Sequence, residues 1–191
     1  MSTERLTIDD LKERIRKIEN RTLRDSILTY VVYRSVLIEK VPASINYHHN
    51  WTGGLLFHTC EVHDLCINMV GMLKGTAKLN EFKYLDPKKI SIDNLRASAI
   101  LHDLGKIFLY TQAGDGRWLY RLKNPPDHAT LIIADFPDIT KTYLCKDIIF
   151  TILSHEGGWS RTGVSPDTIG SSILASADLL SSRLRNFEWN Q

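Results

Sequence analysis

Hydrophobic positions recur with a helical spacing along most of the chain. Leu11, Ile15 and Ile18 share one face of a predicted helix that runs from Thr7 to Asn20. A longer helix is predicted from about Thr22 to Glu39, and its apolar face is wide enough to belong to a core. The chain therefore begins with two helices that each offer an apolar face for packing.

The same spacing, punctuated by glycine and proline, predicts the remaining helices. They are expected at about Leu55–Leu73, from Ser91 or Asp93 through His102 to near Gly105, at about Asp127–Phe136, at about Ile139–Ser154 and from Ser165 to about Arg185. The stretch from Thr76 to Lys89 lacks this spacing and is predicted to be irregular and solvated.

Residues 107–122 follow a different pattern. The runs Ile-Phe-Leu-Tyr and Trp-Leu-Tyr-Arg-Leu flank Ala-Gly-Asp-Gly, which is typical of a β-hairpin. The prediction is an all-α fold with one small β-hairpin inserted after the helix that carries His102 and Asp103. We expect one compact domain, in which the N-terminal helices of residues 1–45 pack on a core formed by residues 46–191.

Composition narrows the function classes. The chain has 191 residues, 43% of them hydrophobic, which suits a single globular domain and excludes a disordered tail. The formal net charge of +2 is too weak to indicate nucleic-acid binding. The three cysteines, Cys60, Cys66 and Cys145, form no C-x-x-C pair and are expected to be buried thiols. A charged N-terminus and the lack of a long apolar run predict a cytoplasmic protein without a membrane span.

The segment Ala99-Ile-Leu-His-Asp-Leu-Gly-Lys106 is the strongest candidate for chemistry. It places His102 and Asp103 side by side at the end of an apolar helix, about 100° apart around the axis, so both side chains can reach one ion. A buried Asp103 needs a compensating cation. The other such dipeptide, His63-Asp64, lies in a polar stretch and is predicted to be a solvated face.

Further candidate ligands are scattered along the chain, as expected where helices converge on a pocket. Asp178 is the most informative of them, because it interrupts an apolar helix and a buried carboxylate without a partner is costly. The others are His58, which follows Gly53-Gly54, His128, which follows Pro-Pro-Asp, and His155, at the end of a predicted helix.

Together these residues resemble the HD-domain metal-dependent phosphohydrolase superfamily. Its pattern His…His-Asp…Asp is matched by His58, His102-Asp103 and Asp178, and a branch with two more histidines is matched by His128 and His155. The resemblance runs from about Tyr47 to Asn186. In the segments around His58, His102 and His155 it is closest to the HD domains of bacterial 3′–5′ exoribonucleases and of conjugative relaxase-associated proteins. It implies an HD-type helical bundle.

The chain also departs from these relatives. The residues before position 47 are too few for an oligonucleotide-binding domain, so a processive nuclease role is not expected. The second of two adjacent histidines found in some branches is replaced by Glu156. The Gly-Tyr-Pro signature of cyclic dinucleotide phosphodiesterases is absent from the sequence, which argues against that substrate.

The resemblance implies one or two divalent transition-metal ions and a metal-activated water that attacks phosphorus. His58, His102, Asp103 and Asp178 would hold the first ion, and Asp103 would bridge to a second ion held by His128 and His155. Imidazole and carboxylate ligands suit Mn, Fe, Zn, Co or Ni alike.

Four other residues are predicted to contact substrate. Lys106 is expected to meet a phosphate oxygen beside catalytic Asp103, with a solvated lysine at a helix end as the alternative. His48 and His49 are expected to line the pocket unless they are exposed loop residues. Trp51 is considered for stacking on a base, although anchoring of its loop is the favoured interpretation.

The expected function is a phosphodiesterase acting on a nucleotide or short oligonucleotide. A nucleotidase or nucleoside triphosphohydrolase is the alternative within the same chemistry, and site nuclearity separates the two by analogy. A non-catalytic nucleotide-binding module, or a nucleic-acid-associated accessory protein, is the alternative of another class. The predicted partner is a small phosphorylated substrate, with no membrane and with nucleic acid only weakly supported.

Overall fold

The computed structural model describes residues 6–75, 91–136, 146–157 and 163–184. These residues form an all-α bundle with one small hairpin, as the sequence predicted. The α-helices are α1 (Ile8–Arg16), α2 (Arg21–Ile38), α3 (Gly54–Gly75), α4 (Ile92–Leu101), α5 (His128–Asp135), α6 (Lys146–Ser154) and α7 (Ile169–Leu184). A 3₁₀ helix at Leu104–Phe108 follows α4 and precedes the strands β1 (Tyr110–Gln112) and β2 (Trp118–Tyr120).

The first helices begin where the sequence provides caps. Thr7 and Asp10 bond each other's backbone in a capping box at the start of α1. Asn20 accepts a hydrogen bond from the Leu23 amide at the start of α2. Leu11 and Ile15 of α1 are fully buried, so α1 packs its apolar face into the same core as the helices that follow.

Helices α3 and α4 lie at the centre of the bundle, because each contributes to both hydrophobic clusters. Leu55 and Leu56 of α3 belong to the larger cluster, whereas Val62 and Val70 belong to a smaller cluster beside α7. In α4, consecutive Ala99 and Ile100 divide in the same way. Both faces of these helices are therefore buried, which explains why their sequences are apolar on more than one side.

The predicted hairpin is confirmed, but its strands are shorter than the pattern indicated. Tyr110 pairs with Tyr120 and Gln112 with Trp118 in an antiparallel register. Ile107 and Phe108 belong to the 3₁₀ helix instead. Their apolar side chains face the core rather than a strand partner, so an apolar run alone misplaced the boundary.

The last helix begins later than predicted. Thr168 and Ser171 exchange hydrogen bonds between side chains and backbone amides, which caps α7 at Ile169. Ser165 and Pro166 precede that cap and are not helical. The physical reason is that reciprocal capping fixes the start more strongly than a proline in a first-turn position.

Some expectations fall on residues that the structure does not describe. They include the irregular stretch at 76–89, the start of the sixth predicted helix at Ile139, and Cys145. Cys60 and Cys66 are buried free thiols, as predicted. Among the described residues, no helix has both the length and the apolar character that a membrane crossing requires. The division into residues 1–45 and 46–191 stays a prediction.

Candidate metal site

The candidate ligands lie on separate helices that meet at one buried place. His58 is on α3, His102 and Asp103 follow α4, and Asp178 is on α7. The others are His128, the first residue of α5, and His155, directly after α6. All the histidines of this set and Asp103 are buried, and Asp178 is 20% exposed. The structure therefore brings together every ligand predicted from the sequence.

Two glycines permit the close backbone approaches on which this convergence depends. A Cβ atom on Gly105 would lie 1.9 Å from the carbonyl oxygen of His128, so only glycine lets the start of α5 reach Asp103. A Cβ atom on Gly54 would lie 2.0 Å from the carbonyl oxygen of His49. That approach holds the preceding loop against α3, and it puts the ring of His48 5.0 Å from that of His58.

The first cluster of donors surrounds the Nε2 atom of His58. This atom lies 3.0 Å from Asp178 Oδ1, 3.2 Å from Asp103 Oδ2 and 3.3 Å from His102 Nε2. His102 Nε2 lies 3.7 Å from Asp103 Oδ2 and 3.9 Å from Asp178 Oδ1. Ligands bound at about 2.1 Å to one ion are separated by about 3.0–3.4 Å, so the cluster is of the right size for a transition metal.

The second cluster uses the other oxygen of Asp103. Asp103 Oδ1 lies 2.9 Å from His128 Nε2 and 3.7 Å from His155 Nε2, and the two imidazole nitrogens are 3.3 Å apart. Glu156 Oε1 lies 4.0 Å from His128 Nε2, at the edge of this group. Asp103 therefore presents one oxygen to each cluster.

Backbone carbonyls orient two of the imidazole rings. His102 Nδ1 lies 2.8 Å from the carbonyl oxygen of Ala99, and His155 Nδ1 lies 2.6 Å from that of Ile152. A carbonyl oxygen can only accept a hydrogen bond, so each Nδ1 carries the hydrogen. When the rings are neutral, their Nε2 lone pairs point inward at carboxylate oxygens.

When the imidazole rings are neutral, their Nε2 atoms and the carboxylate oxygens are all acceptors, and a cation placed between them satisfies both. This arrangement tests the fit of a metal. Asp103 Oδ1 has no hydrogen directed at it in hydrogen-bonding geometry by any described residue. Nitrogen and carboxylate ligands without thiolate suit several divalent transition metals. The buried clusters, His58–His102–Asp103 and Asp103–His128–His155, fit the ion or ions that the sequence predicted. Their identity is not fixed by this donor set.

Lys106 supplies a positive charge beside the shared carboxylate. Its Nζ atom lies 2.5 Å from Asp103 Oδ2, and its side chain is only 12% exposed. Burial by itself would raise the pKa of Asp103, but Lys106 and the His102 ring hold that pKa well below its usual range. The alternative of a solvated helix-end lysine is therefore wrong.

The structure separates the residues predicted to contact substrate. His48 is half-buried and lines a cavity of about 270 Å³ at the mouth of the site, together with Lys106, His128 and Glu156. His49 is buried behind His58 and faces Glu61, with 3.3 Å between His49 Nε2 and Glu61 Oε2. The alternative that both are exposed loop residues is therefore wrong.

Trp51 anchors its loop. Its ring packs 5.0 Å from that of His49 and 6.1 Å from that of Phe57, and neither Trp51 nor His49 is among the described residues that line the mouth cavity. This is the packing interpretation favoured from the sequence. A role for either residue in direct substrate contact has no support from these positions.

The second His-Asp dipeptide was predicted to be a solvated face, and for His63 this is wrong. His63 is 2% exposed and lies 2.8 Å from Asp64 Oδ1. Arg14 of α1 reaches the same carboxylate, with Nη2 2.5 Å from Asp64 Oδ2. The carboxylate of Asp64 therefore links α3 to α1 through Arg14, a residue fifty positions earlier in the sequence.

Sequence reasoning missed two polar residues directly behind His58. Ser181 Oγ lies 2.9 Å from His58 Nδ1, and Ser181 donates a hydrogen bond to Glu61 Oε2 at 2.5 Å. Glu61 follows His58 by three positions on α3, and Ser181 follows Asp178 by three positions on α7. Helical spacing from the ligands was the signal that could have found them.

Comparison with known proteins gives one informative relative. No family model and no solved structure matches the chain. The chain is similar to dihydroneopterin 2′,3′-cyclic phosphate phosphodiesterase of Methanocaldococcus jannaschii, with 28% identity over 176 residues. These aligned residues make up 91% of this chain. The chain spans 65% of the length of that relative. The site therefore belongs to a chain similar to a phosphodiesterase, and the resemblance to particular HD subfamilies stays a prediction.

Proposed function

We propose that this protein is a metal-dependent phosphodiesterase that opens a cyclic phosphate on a small nucleotide-like compound. One observation carries the proposal: Asp103 presents one oxygen to each of two buried donor clusters. His128 of the second cluster lines the mouth cavity, together with Lys106. The similarity to a cyclic phosphate phosphodiesterase supports the same class of reaction and the same class of substrate.

The chain offers two adjacent sets of ligands. His58, His102, Asp103 and Asp178 would hold one ion, and Asp103, His128 and His155 would hold the other. Divalent ions bound there supply Lewis-acid activation of water and of the phosphoryl oxygens. The chain itself orients the ligands through the Ala99 and Ile152 carbonyls and excludes bulk water by burying the rings.

Lys106 is the residue best placed to hold the phosphate. An ammonium group has three donors, and Asp103 takes one of them. The side chain also borders the mouth cavity, so its other donors are available to a phosphate oxygen bound there. His48 forms a neighbouring part of the wall and offers an imidazole nitrogen for a further contact.

Aromatic residues at the mouth favour a substrate with a flat ring. Tyr120 is 45% exposed and Tyr47 is 81% exposed, although both line the cavity that contains Lys106. Tyr110 is buried, and its ring lies 5.2 Å from that of Tyr120, so it supports Tyr120 from the adjacent strand. We infer that Tyr120 stacks on the heteroaromatic base of the substrate.

The proposal is tested by turnover of defined phosphoesters. Protein reconstituted with manganese, iron, zinc, cobalt or nickel should open 2′,3′-cyclic AMP or dihydroneopterin 2′,3′-cyclic phosphate to a monoester. It should release no inorganic phosphate from the resulting monoester. Asp103→Asn should abolish the reaction, because the residue belongs to both clusters. The matched Asp9→Asn, at an exposed position of α1, should not.

Other outcomes would decide for the alternatives. Hydrolysis of nucleoside monophosphates or triphosphates without opening of cyclic esters would make the protein a nucleotidase or triphosphohydrolase. Tight binding of cyclic nucleotides without turnover, at every metal tested, would make it a non-catalytic binding module. Either result would overturn the proposed reaction.

A further inference from the structure

His58 is held from behind by a hydrogen-bonded chain that the proposed reaction does not use. Its Nδ1 atom lies 2.9 Å from Ser181 Oγ, and Ser181 donates to Glu61 Oε2 at 2.5 Å. His58 and Ser181 are fully buried. Glu61 is 23% exposed and lies close to the ring of His49 as well. The chain thus leads from a candidate ligand to a carboxylate outside both donor clusters.

The direction of these hydrogen bonds determines where the hydrogen of His58 lies. A serine hydroxyl has a single hydrogen, and Ser181 gives it to Glu61. The Ser181 oxygen can then only accept from His58, so Nδ1 of His58 carries a hydrogen. In the neutral ring, Nε2 is left with its lone pair. That atom is the one that faces Asp103 and Asp178.

We propose that Glu61 and Ser181 are positioning residues that fix the tautomer of His58 and so prepare its Nε2 atom to bind a metal ion. The backbone carbonyls of Ala99 and Ile152 do the same for His102 and His155. His58 lies in the interior of α3, and its Nδ1 atom is held by the side chains of Ser181 and Glu61 instead of by a backbone carbonyl. The inference rests on the proposed metal site and is independent of the reaction.

The helices make this arrangement specific. Glu61 lies one turn after His58 on α3, and Ser181 lies one turn after Asp178 on α7. Helices α3 and α7 pack directly against each other, so the two turns meet. The same helical contact therefore sets both the distance from His58 to Asp178 and the distance from His58 to Ser181.

Glu61 determines the direction of these hydrogen bonds, because it accepts the hydroxyl hydrogen of Ser181. In Glu61→Ala this hydrogen is released and can be donated to His58 Nδ1, which favours the tautomer with hydrogen on Nε2. That tautomer cannot ligate through Nε2. Glu61→Gln keeps a carbonyl oxygen that can accept from Ser181, so it should preserve the tautomer.

The test measures zinc affinity of the full chain by competition with a chromophoric chelator. Glu61→Ala and Ser181→Ala should each weaken binding about 10–100-fold, the range found for partners of metal ligands. Glu61→Gln should stay within about threefold of the wild type, because it retains the acceptor. The variant that carries both substitutions to alanine should bind zinc as tightly as the single variant with the lower affinity, because both residues act through the hydrogen bond to His58.

Two further measurements separate positioning from general damage. Ser172→Ala is the matched control, since this serine is exposed on the same helix, and it should bind zinc like the wild type. In zinc-loaded wild type, nitrogen-resolved NMR should show a slowly exchanging hydrogen on His58 Nδ1. Ser181→Ala should lose that resonance while its metal-free thermal unfolding remains cooperative.

Defined results would overturn the inference. Wild-type affinity in Ser181→Ala would show that the chain does not act on the metal. Equal weakening in Glu61→Ala and Glu61→Gln would show that charge, and not the tautomer, is what matters. A wild type that binds no metal would remove the site itself, whereas tight zinc binding without phosphodiester turnover would overturn the proposed function alone.

Discussion

Asp103 is the residue that both donor clusters share. Its Oδ2 atom faces His58 and its Oδ1 atom faces His128, while Lys106 balances part of its charge. A buried carboxylate is costly unless it is paired, and Lys106 pairs with the Oδ2 atom of Asp103. Because each oxygen of Asp103 faces a different cluster, replacing a histidine of one cluster tests that cluster separately from the other.

Replacing His128 should remove one ion and leave the other. His128 contacts Asp103 Oδ1 and His155 but belongs to no group with His58 or His102. Metal content by mass spectrometry should fall from about two ions per chain to about one. His63→Ala is the matched control, since His63 is buried but lies outside every described cluster, and it should retain both ions. An unchanged content in His128→Ala would contradict the second cluster.

At the scale of elements, close approach between the 3₁₀ helix and α5 assembles the second cluster. Gly105 allows the approach, because a side chain there would overlap the His128 carbonyl. The β-hairpin has a comparable role at the mouth, where its register places Tyr120 opposite Tyr110. The short elements after α4 thus shape both the second cluster and the mouth cavity.

Gly105→Ala should destabilise the protein by about 2–3 kcal/mol, because the new methyl group forces backbone atoms apart. The matched variant is Gly71→Ala on α3, where a Cβ atom would meet nothing within 4 Å. That variant should be stabilising by about 0.5–1 kcal/mol, since alanine favours a helix interior. Urea unfolding curves measure both, and similar effects at the two positions would contradict the close-approach argument.

Tyr120→Ala should raise KM for 2′,3′-cyclic AMP about tenfold or more, because one base–aromatic stack is lost. Its kcat should change little, since the ring lies at the mouth and away from the clusters. Glycerol 1,2-cyclic phosphate, which lacks a base, is the comparison substrate and should show the same KM with either protein. The matched control is Leu119→Ala, which is exposed on the same strand. Equal losses on both substrates would mean that Tyr120 supports the site and does not bind a base.

For the molecule as a whole, polar links hold the N-terminal helices to the bundle. Arg14 of α1 binds Asp64 of α3, and Arg34 of α2 binds Asp135 at the end of α5, with 2.8 Å between Arg34 Nη2 and Asp135 Oδ1. Tyr30 donates a further hydrogen bond to Asp135. These links join residues that are far apart in the chain, on top of the shared hydrophobic core.

The link at Asp64 should make stability depend on acid pH. Burial would raise the pKa of Asp64, but hydrogen bonds from His63 and Arg14 lower it to about 2. Because the unfolded value is about 3.9, the link stabilises fully above that pH and its contribution is lost as the pH falls towards 2. Asp64 is 46% exposed, so screening reduces the contribution to about 1 kcal/mol.

The measurement is urea unfolding of the wild type and Asp64→Asn between pH 6 and pH 3. The difference in unfolding free energy should be about 1 kcal/mol at pH 6 and should shrink as the pH falls. Asp115→Asn, in the exposed hairpin turn, is the control for loss of an arginine-paired carboxylate outside the core. A difference that stays constant down to pH 3 would show that the carboxylate charge does not matter.

The sequence by itself determined the helical class, the hairpin and the set of candidate ligands. Helical periodicity is a local property, and His102-Asp103 and Asp178 were visible because polar residues interrupt apolar helices. A site carboxylate at Asp103 and a lysine at Lys106 could therefore be named before any contact was known. Their metal-binding and catalytic roles stay predictions.

Tertiary structure alone decided which candidate ligands form each cluster and which residues hold them by hydrogen bonds. Ser181 reaches His58 across 123 positions, and Arg14 reaches Asp64 across 50, so no local pattern encodes either contact. Packing of α7 and α1 on α3 brings these side chains within hydrogen-bonding distance, and packing of α5 on the 3₁₀ helix brings His128 to Asp103. That is why the sequence could supply the donors, while only the packed helices decided that Asp103 is shared, that His49 and Trp51 lie behind the site, and that Glu61 and Ser181 hold His58.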